Sequence, residues 1–232
     1  DKPFIYFLLK NIVEAGFENV IMVVGKDFDD FKKQLDNLNF NNKLKIDYAI
    51  QKIPKDRVKP FGTADAVFQT MDQIEILKNS SFCVCNSDNL YSTNSLRTIR
   101  ENAYENAVLA YDRDSLNFPK ERVSSFSILM TDDNFNLLNF IEKPTQEQVD
   151  QNLDSNGKIR VSMNIFKFNG LQAFDFIKNC PINPIRNEKE LPSAIVNMIN
   201  ENDLYMKGIP IAEHVPDLTS KADINIIQKL IE

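Results

Sequence analysis

Phe82-Cys83-Val84-Cys85-Asn86-Ser87-Asp88-Asn89 joins a short apolar run to a polar, acid-bearing end. Such a run reads as a buried strand, which puts Asp88 at the strand's carboxyl end. Upstream, Val20 to Gly25 is a second apolar, β-branched run and reads as a buried parallel strand. Leu44, Ile46, Tyr48 and Ile50 alternate with polar residues, the pattern of a half-buried strand. Helices separate these runs. Phe4, Phe7, Leu8, Ile12 and Val13 fall at helical spacing, with Pro3 in the first turn and Gly16 as the stop. Asp27 can cap a second helix carrying Phe28, Phe31 and Leu35 on one face. After a charged loop from Gln51 to Phe61, Gly62 opens a helix through about Met71.

Downstream of Asp88 the pattern predicts a helix from about Ser95 to Asn106 and a strand from Val108 to Tyr111. The rhythm then changes. Ser125 to Met130 and Phe135 to Glu142 flank Asp132-Asp133-Asn134, a hairpin with a short loop. A polar linker leads to a strand from Ile159 to Phe168. Helices follow at Leu171 to Asn179 and Glu190 to Asn200, then a strand at Leu204 to Ile209 and a closing amphipathic helix at Ala222 to Leu230. Strand–helix alternation followed by an α+β half implies the α/β class: a mainly parallel, mixed sheet flanked by helices. Ligands of such sheets bind at the carboxyl ends of strands. No repeat or Gly/Ser linker breaks the chain, so one domain spanning 1–232 is expected, with halves at 1–112 and 113–232.

The 232 residues are 43% hydrophobic and 26% charged, ordinary for a globular chain that buries a core without disulfides. Net charge is -6 and no long Lys/Arg run exists, which argues against a nucleic-acid partner. An acidic protein that binds phosphate needs local devices: backbone N–H groups, a few placed cations or a divalent metal. Cys83, Cys85 and Cys180 are odd in number and form no CxxC pair, against a disulfide framework or a zinc site. No apolar stretch approaches ~18 residues, so no membrane partner is expected, and the free thiols point to the cytoplasm. The chain opens on Asp1-Lys2-Pro3-Phe4, already in a helical pattern, and the expectation is a fragment of a longer protein.

Four places carry chemistry-bearing side chains. Asp88 can ligate a hard cation such as Mg2+ that bridges substrate phosphates, or it can cap a turn. Pro60-Phe61-Gly62-Thr63-Ala64-Asp65-Ala66 either lets a ligand approach backbone at a helix start or packs small residues on a sheet. Glu142-Lys143-Pro144 ends a strand with an acceptor beside a point charge, suited to a sugar hydroxyl and a phosphate, or it is a surface ion pair. Asp217, in His214-Val215-Pro216-Asp217-Leu218-Thr219, is either a second metal carboxylate or part of a helix entry. His214, the one histidine, has no partner at metal or triad spacing and reads as loop packing.

The order of these pieces is more informative than any one of them. Gly62-Thr63-Ala64-Asp65-Ala66, Asn86-Ser87-Asp88, Phe140-Ile141-Glu142-Lys143-Pro144, Val161-Ser162-Met163-Asn164-Ile165-Phe166 and Asp217 together resemble the sugar-1-phosphate nucleotidyltransferases, the NDP-sugar pyrophosphorylases. Gly62 to Ala66 and Ser162-Met163 look most like the ADP-glucose members, and Lys2 to Gly16 looks like the family's first helix. The resemblance covers residues 1 to about 225 and implies the Rossmann-like nucleotide-diphospho-sugar transferase fold.

It also implies roles. Asp88 and Asp217 would hold Mg2+. Lys143 would meet the sugar phosphate, making Asp88, Lys143 and Asp217 the catalytic set. Gln51, Gly62 and Thr63 would bind the nucleotide. Glu142, Ser162, Asn164 and Glu190 would line the sugar pocket. The partners implied are an NTP and a sugar-1-phosphate, and a homo-oligomer is an admissible assembly. Ser87 stands where the family usually has Gly, and Asn164 where it often has Gly or Ala. The family's Gly-rich signature, with its Arg and Lys, would precede Asp1. Losing one such charge-stabilising group costs ~2.7–4 kcal/mol, so the chain as given is expected to be nearly inactive. Three rivals fit less well. A GT-A glycosyltransferase would want Asp-x-Asp where Ser87-Asp88-Asn89-Leu90 stands. A dinucleotide-binding domain would show G-x-G-x-x-G after a strand. An inactive, sugar-phosphate- or nucleotide-sensing homologue rests on analogy alone.

Overall fold

The computed structural model describes residues 2–40, 43–201, 204–219, 223–224 and 227–229. The chain folds into two compact units, each assembled from segments far apart in sequence. One comprises Asp1–Gly16, Cys83–Lys167 and Tyr205–Glu232; the other comprises Phe17–Phe82 and Phe168–Leu204. This grouping cuts across the expected halves at 1–112 and 113–232.

The first unit holds helices α1 (Phe4–Glu14), α4 (Thr93–Glu101), α5 (Lys120–Val123) and α6 (Gln146–Gln151). It also carries most of a six-stranded sheet: β3 (Ser81–Cys85), β4 (Ala107–Asp112), β5 (Ile128–Thr131), β6 (Leu137–Ile141), β7 (Arg160–Asn169) and β8 (Lys207–Ile211). The order is β6-β5-β7-β4-β8, with β3 also pairing β7. The sheet is mixed. β4 runs parallel to β8 and antiparallel to β7, and β5 is antiparallel to both β6 and β7. Every residue of β4 is buried, because it has strands on both sides and α4 packed on it. The α1 helix is fastened to α4 by the Arg100 guanidinium, which donates to the Ala15 carbonyl at 2.9 Å.

β7 is bulged. Val108 faces Phe166 and Ala110 faces Ser162, so Met163, Asn164 and Ile165 together oppose Leu109. Asn164 takes a left-handed backbone there (φ 55), which Asn tolerates better than most residues. The buried Tyr91 hydroxyl donates to the Met163 carbonyl at 2.6 Å, and the Asn164 N–H donates to Ser162 Oγ at 3.1 Å. The bulge is therefore held from both sides.

The second unit contains a two-stranded parallel sheet, β1 (Asn19–Val24) with β2 (Lys45–Ile50), and helices α2 (Asp29–Asp36), α3 (Thr63–Gln73), α7 (Gly170–Lys178) and α8 (Leu191–Asn200). Helix α7 packs on α3 and α8, with Phe68 and Phe174 6.1 Å apart across the first contact. Asp65, Gln69 and Gln73, each four residues from the next, form one stripe on α3. Gln73 closes the backbone of Ile50 with two hydrogen bonds, accepting from its N–H and donating to its carbonyl, both 3.0 Å. Gln69 does the same to Lys52, at 2.8 and 3.1 Å. Side chains of α3 thus take the place of a strand along the end of β2.

Several expectations need correcting. β1 is only partly buried, because its pairing among the described residues is with β2 alone. Asp27 does not cap α2, which begins after Phe28 without a side-chain cap. α4 stops at Glu101 rather than Asn106, since the Asn102 amide turns back onto the Thr98 and Ile99 carbonyls. The polar linker contains α6, opened by a capping box in which Thr145 and Gln148 satisfy each other's backbone N–H groups. β8 starts at Lys207, not Leu204. The closing helix at 222–230 lies partly outside the described residues; 223–224 and 227–229 are helical.

Candidate active site

Two segments distant in the chain meet beside Asp88. Asn89 bridges Asp217 as an antiparallel pair, the Leu218 N–H donates to the Asp88 carbonyl at 2.8 Å, and the Leu90 N–H donates to the Pro216 carbonyl at 2.7 Å. Glu213 steadies the approach to Asp217: its carboxylate accepts from the side chains of Ser92, Asn94 and Ser95 at the start of α4. The two acids thereby sit on neighbouring strands of one small bridge. Partial desolvation, countered by a hydrogen bond from its own backbone and reinforced by the Asp217 charge, pushes the Asp88 carboxyl above its ordinary range.

Asp217 is already engaged. Arg122, on α5, sets Nη2 2.9 Å from Asp217 Oδ2 and Nη1 2.9 Å from Asp223 Oδ1, and the Thr219 hydroxyl donates to Asp217 Oδ1. The guanidinium lies over the Phe118 ring, 4.6 Å from its centre. His214 packs edge-on to Phe118 and accepts the Asn117 N–H at Nδ1, the packing role its sequence suggested. Among the described residues no group of three His, Cys, Asp or Glu side chains is placed to hold a metal. Mg2+ commonly takes only one or two carboxylates plus substrate phosphates, so two acids on adjoining segments suit it.

Glu142 and Lys143 follow β6 and are exposed. Lys143 has a left-handed backbone (φ 46), uncommon for a residue with a Cβ, and its ammonium has no partner among the described residues. No hydrogen bond or ion pair among those residues ties it to Asp88 or Asp217. Ser162 and Asn164 lie in the β7 bulge, Ser162 buried with its Oγ accepting the Asn164 N–H and Asn164 exposed.

The remaining sequence candidates belong to the second unit. Gln51, Lys59, Pro60, Gly62, Thr63, Ala66 and Glu188 line a cavity of about 330 Å³, within the range of small-ligand pockets. Gly62 has φ 99, and a Cβ there would stand 2.3 Å from the Lys189 carbonyl oxygen, so both the backbone and the space demand glycine. Residues 61–64 are zipped to 189–191. Lys189 N–H donates to the Phe61 carbonyl at 2.8 Å, Ala64 N–H to the Lys189 carbonyl at 3.0 Å, and Leu191 N–H to Thr63 Oγ at 3.0 Å. Glu190 is occupied within its own loop by Asn183 Nδ2 at 2.7 Å and Arg186 Nη1 at 2.6 Å. The sequence reading passed over Arg122, Glu213 and the α3 stripe; only the stripe left a signal, its spacing of four.

Residues 1–210 match the family model described as "Nucleotidyl transferase". The chain belongs to the nucleotidyl transferase family. Among its curated relatives is a putative UTP–glucose-1-phosphate uridylyltransferase of Methanocaldococcus jannaschii, 24% identical over 188 residues, covering 72% of this chain and 64% of that protein. A glucose-1-phosphate thymidylyltransferase of Neisseria gonorrhoeae is 24% identical over 152 residues, covering 65% of this chain and 48% of that protein. A glucose-1-phosphate adenylyltransferase of Photobacterium profundum is 30% identical over 84 residues, covering 36% of this chain and 20% of that protein. The chain thus spans less than two thirds of each of these relatives. HddC from Yersinia pseudotuberculosis has a like fold: TM-score 0.67 at 17% identity, over 100% of this chain and 86% of that one. Among the described residues no helix is long and apolar enough to cross a membrane.

Proposed function

We propose that this protein moves the nucleotidyl group of an NTP onto a sugar-1-phosphate, giving an NDP-sugar and pyrophosphate. A sugar phosphate oxygen attacks the α-phosphorus; that O–P bond forms as the bond to the departing pyrophosphate oxygen breaks. Both reactants are anions, so catalysis is mainly positioning and charge compensation. The observation that carries the reading is the Asn89–Asp217 bridge, which sets the Asp88 and Asp217 carboxylates on adjoining segments.

Asp88 and Asp217 would hold Mg2+, whose charge, when bound, offsets that of the phosphates. Lys143 would take the sugar phosphate: its ammonium is exposed and unpartnered among the described residues, and its strained backbone is the kind of outlier that clusters at functional sites. Glu142, Ser162, Asn164 and Glu190 would face the sugar, and Gln51, Gly62 and Thr63 the nucleotide. The nucleotide residues share one unit, whereas the acids, Lys143 and the sugar residues other than Glu190 share the other. The three unpaired cysteines suit a reducing compartment, and burial pushes the Cys83 and Cys85 thiols up to about 12, which keeps them inert.

The test is pyrophosphate release by the full-length protein, with five NTPs against glucose-1-phosphate, mannose-1-phosphate and N-acetylglucosamine-1-phosphate in Mg2+. Turnover by one pair, lost in Asp88→Asn, supports the reading. Nucleotide binding without turnover on any pair would replace it with a sensing role.

A further inference from the structure

We infer that Asp65 determines base selectivity by locking the Gln51 side-chain amide as a pure acceptor toward the pocket. The inference rests on the assignment of Gln51 and Gly62 to the nucleotide and deepens it.

Gln51 Nε2 has two hydrogens, and both are used inside the protein: one meets the Gly62 carbonyl at 3.1 Å, the other Asp65 Oδ2 at 2.9 Å. Which end of a glutamine amide faces a neighbour follows from the network around it. Here the network leaves no choice. A peptide carbonyl only accepts, and so does an ionised carboxylate, so the NH2 end must face both. The lock is itself anchored. Gln69 clamps the Lys52 backbone, accepting its N–H and donating to its carbonyl, which fixes the Gln69 amide; its Nε2 then donates to the same Asp65 oxygen at 2.8 Å. Gln73 clamps Ile50 on the other side of Gln51 in the same way. Asp65 is 9% exposed and lies on the helix turn directly behind the cavity wall formed by Gly62, Thr63 and Ala66.

What remains of Gln51 is Oε1, which has no partner among the described residues, on a side chain that lines the cavity. An acceptor fixed there rewards a base edge that presents an N–H and repels one that presents a carbonyl or ring-nitrogen lone pair. A site whose fixed polar group is left unpaired by the wrong ligand discriminates more strongly than one that can adjust. In an unlocked pocket the Gln51 amide would turn over and offer its NH2 to a base acceptor. Alanine at position 65 would loosen it, because it removes one of the two groups that demand an N–H and leaves the Gly62 carbonyl alone to hold the amide.

The experiment is calorimetric binding of ATP, GTP, CTP, UTP and dTTP to the full-length protein and to Asp65→Ala. The wild type should separate its best and worst nucleotide by at least about tenfold. Asp65→Ala should shrink that spread to under about threefold while holding its best nucleotide nearly as well. A spread as wide in Asp65→Ala as in the wild type overturns the role of Asp65 and leaves the nucleotide site standing. If none of the five binds the wild type, the site assignment falls and this inference with it. A second measurement needs no variant. In nitrogen-15 spectra of the wild type, the Gln51 side-chain hydrogens should stay protected from solvent exchange, with little shift, when the best nucleotide binds. A switch of either hydrogen's bond to the nucleotide overturns the inference even if Asp65→Ala fails to fold.

Discussion

Arg122 and Asp217 are paired at 2.9 Å in a pocket that leaves their side chains 25% and 14% exposed, and the same guanidinium holds Asp223. One cation therefore compensates two largely buried acids. Replacing it with Met, which keeps much of the packing on Phe118, strands both carboxylates. The expected cost is about 2–4 kcal/mol, below the roughly 3–5 kcal/mol for removing one partner of a fully buried ion pair because Arg122 keeps some solvent contact. Urea melts of Arg122→Met check this, and a loss within about 0.5 kcal/mol, typical of open surface changes, would show that solvent already screens the cluster.

Asp88 should behave in the opposite way. Its carboxyl is exposed and raised, first by partial desolvation and then by Asp217, so in the folded state its charge is a burden. Asp88→Asn removes that burden, and stability should stay within about 0.5 kcal/mol of wild type or rise. Turnover should nevertheless fall about a hundred- to a thousandfold, as when one charge-stabilising group is removed. Parallel melts and pyrophosphate-release rates separate the two effects. An equal loss of stability would make Asp88 a structural acid.

Lys143 offers a similar division. A left-handed backbone costs a residue with a Cβ on the order of 1–3 kcal/mol, and glycine avoids most of that while losing up to about 1 kcal/mol in chain entropy. Lys143→Gly is expected to melt at or above the wild-type temperature. If the ammonium meets the sugar phosphate, the variant's KM for sugar-1-phosphate should rise or its kcat fall at least tenfold, with nucleotide binding unchanged. A variant that is more stable and fully active would remove Lys143 from the site.

The strands were legible because their signal is local. β3 and β4 are short apolar runs, and β2 alternates; each is where its pattern put it. Asp88 stood out through its place after such a run, whereas Asp217 lies beyond the end of β8 and has no run of that kind before it. What the sequence hid was carried by side chains acting at a distance. α4 ends early because the Asn102 amide competes for two carbonyls, which a periodicity count does not see. α6 carried a capping signal in Thr145 and Gln148, but with Val149 as its one apolar residue it offers no apolar face to count. Arg122 reaches Asp217 across 95 residues, and no local spacing announces a pairing of that kind. The α3 stripe showed its period; what it clamps depends on which backbone lies opposite.

Acid stability should be governed in part by Asp154. Burial alone would raise its carboxyl, but the Lys158 N–H, the Arg160 guanidinium (Nε to Oδ2 2.6 Å) and the Asn156 N–H together hold it below 3.8. The folded state thus binds this proton less readily than the unfolded chain does. The stabilisation is fully present above 3.8 and is lost as pH falls through the lower folded value. Asp132, held low by the Asn136 and Asn134 N–H groups at the β5–β6 turn, adds a slope of the same sign. Asp154→Asn should cost about 3–5 kcal/mol at neutral pH, because Arg160, 8% exposed, is left charged and buried without its partner. Below 3.8 the variant's stability should also fall less steeply than the wild type's, since one proton-linked group has been removed. Urea melts at pH steps from neutral to strongly acidic read both quantities, and an unchanged acid slope in Asp154→Asn would show that Asp154 is not among the groups setting it.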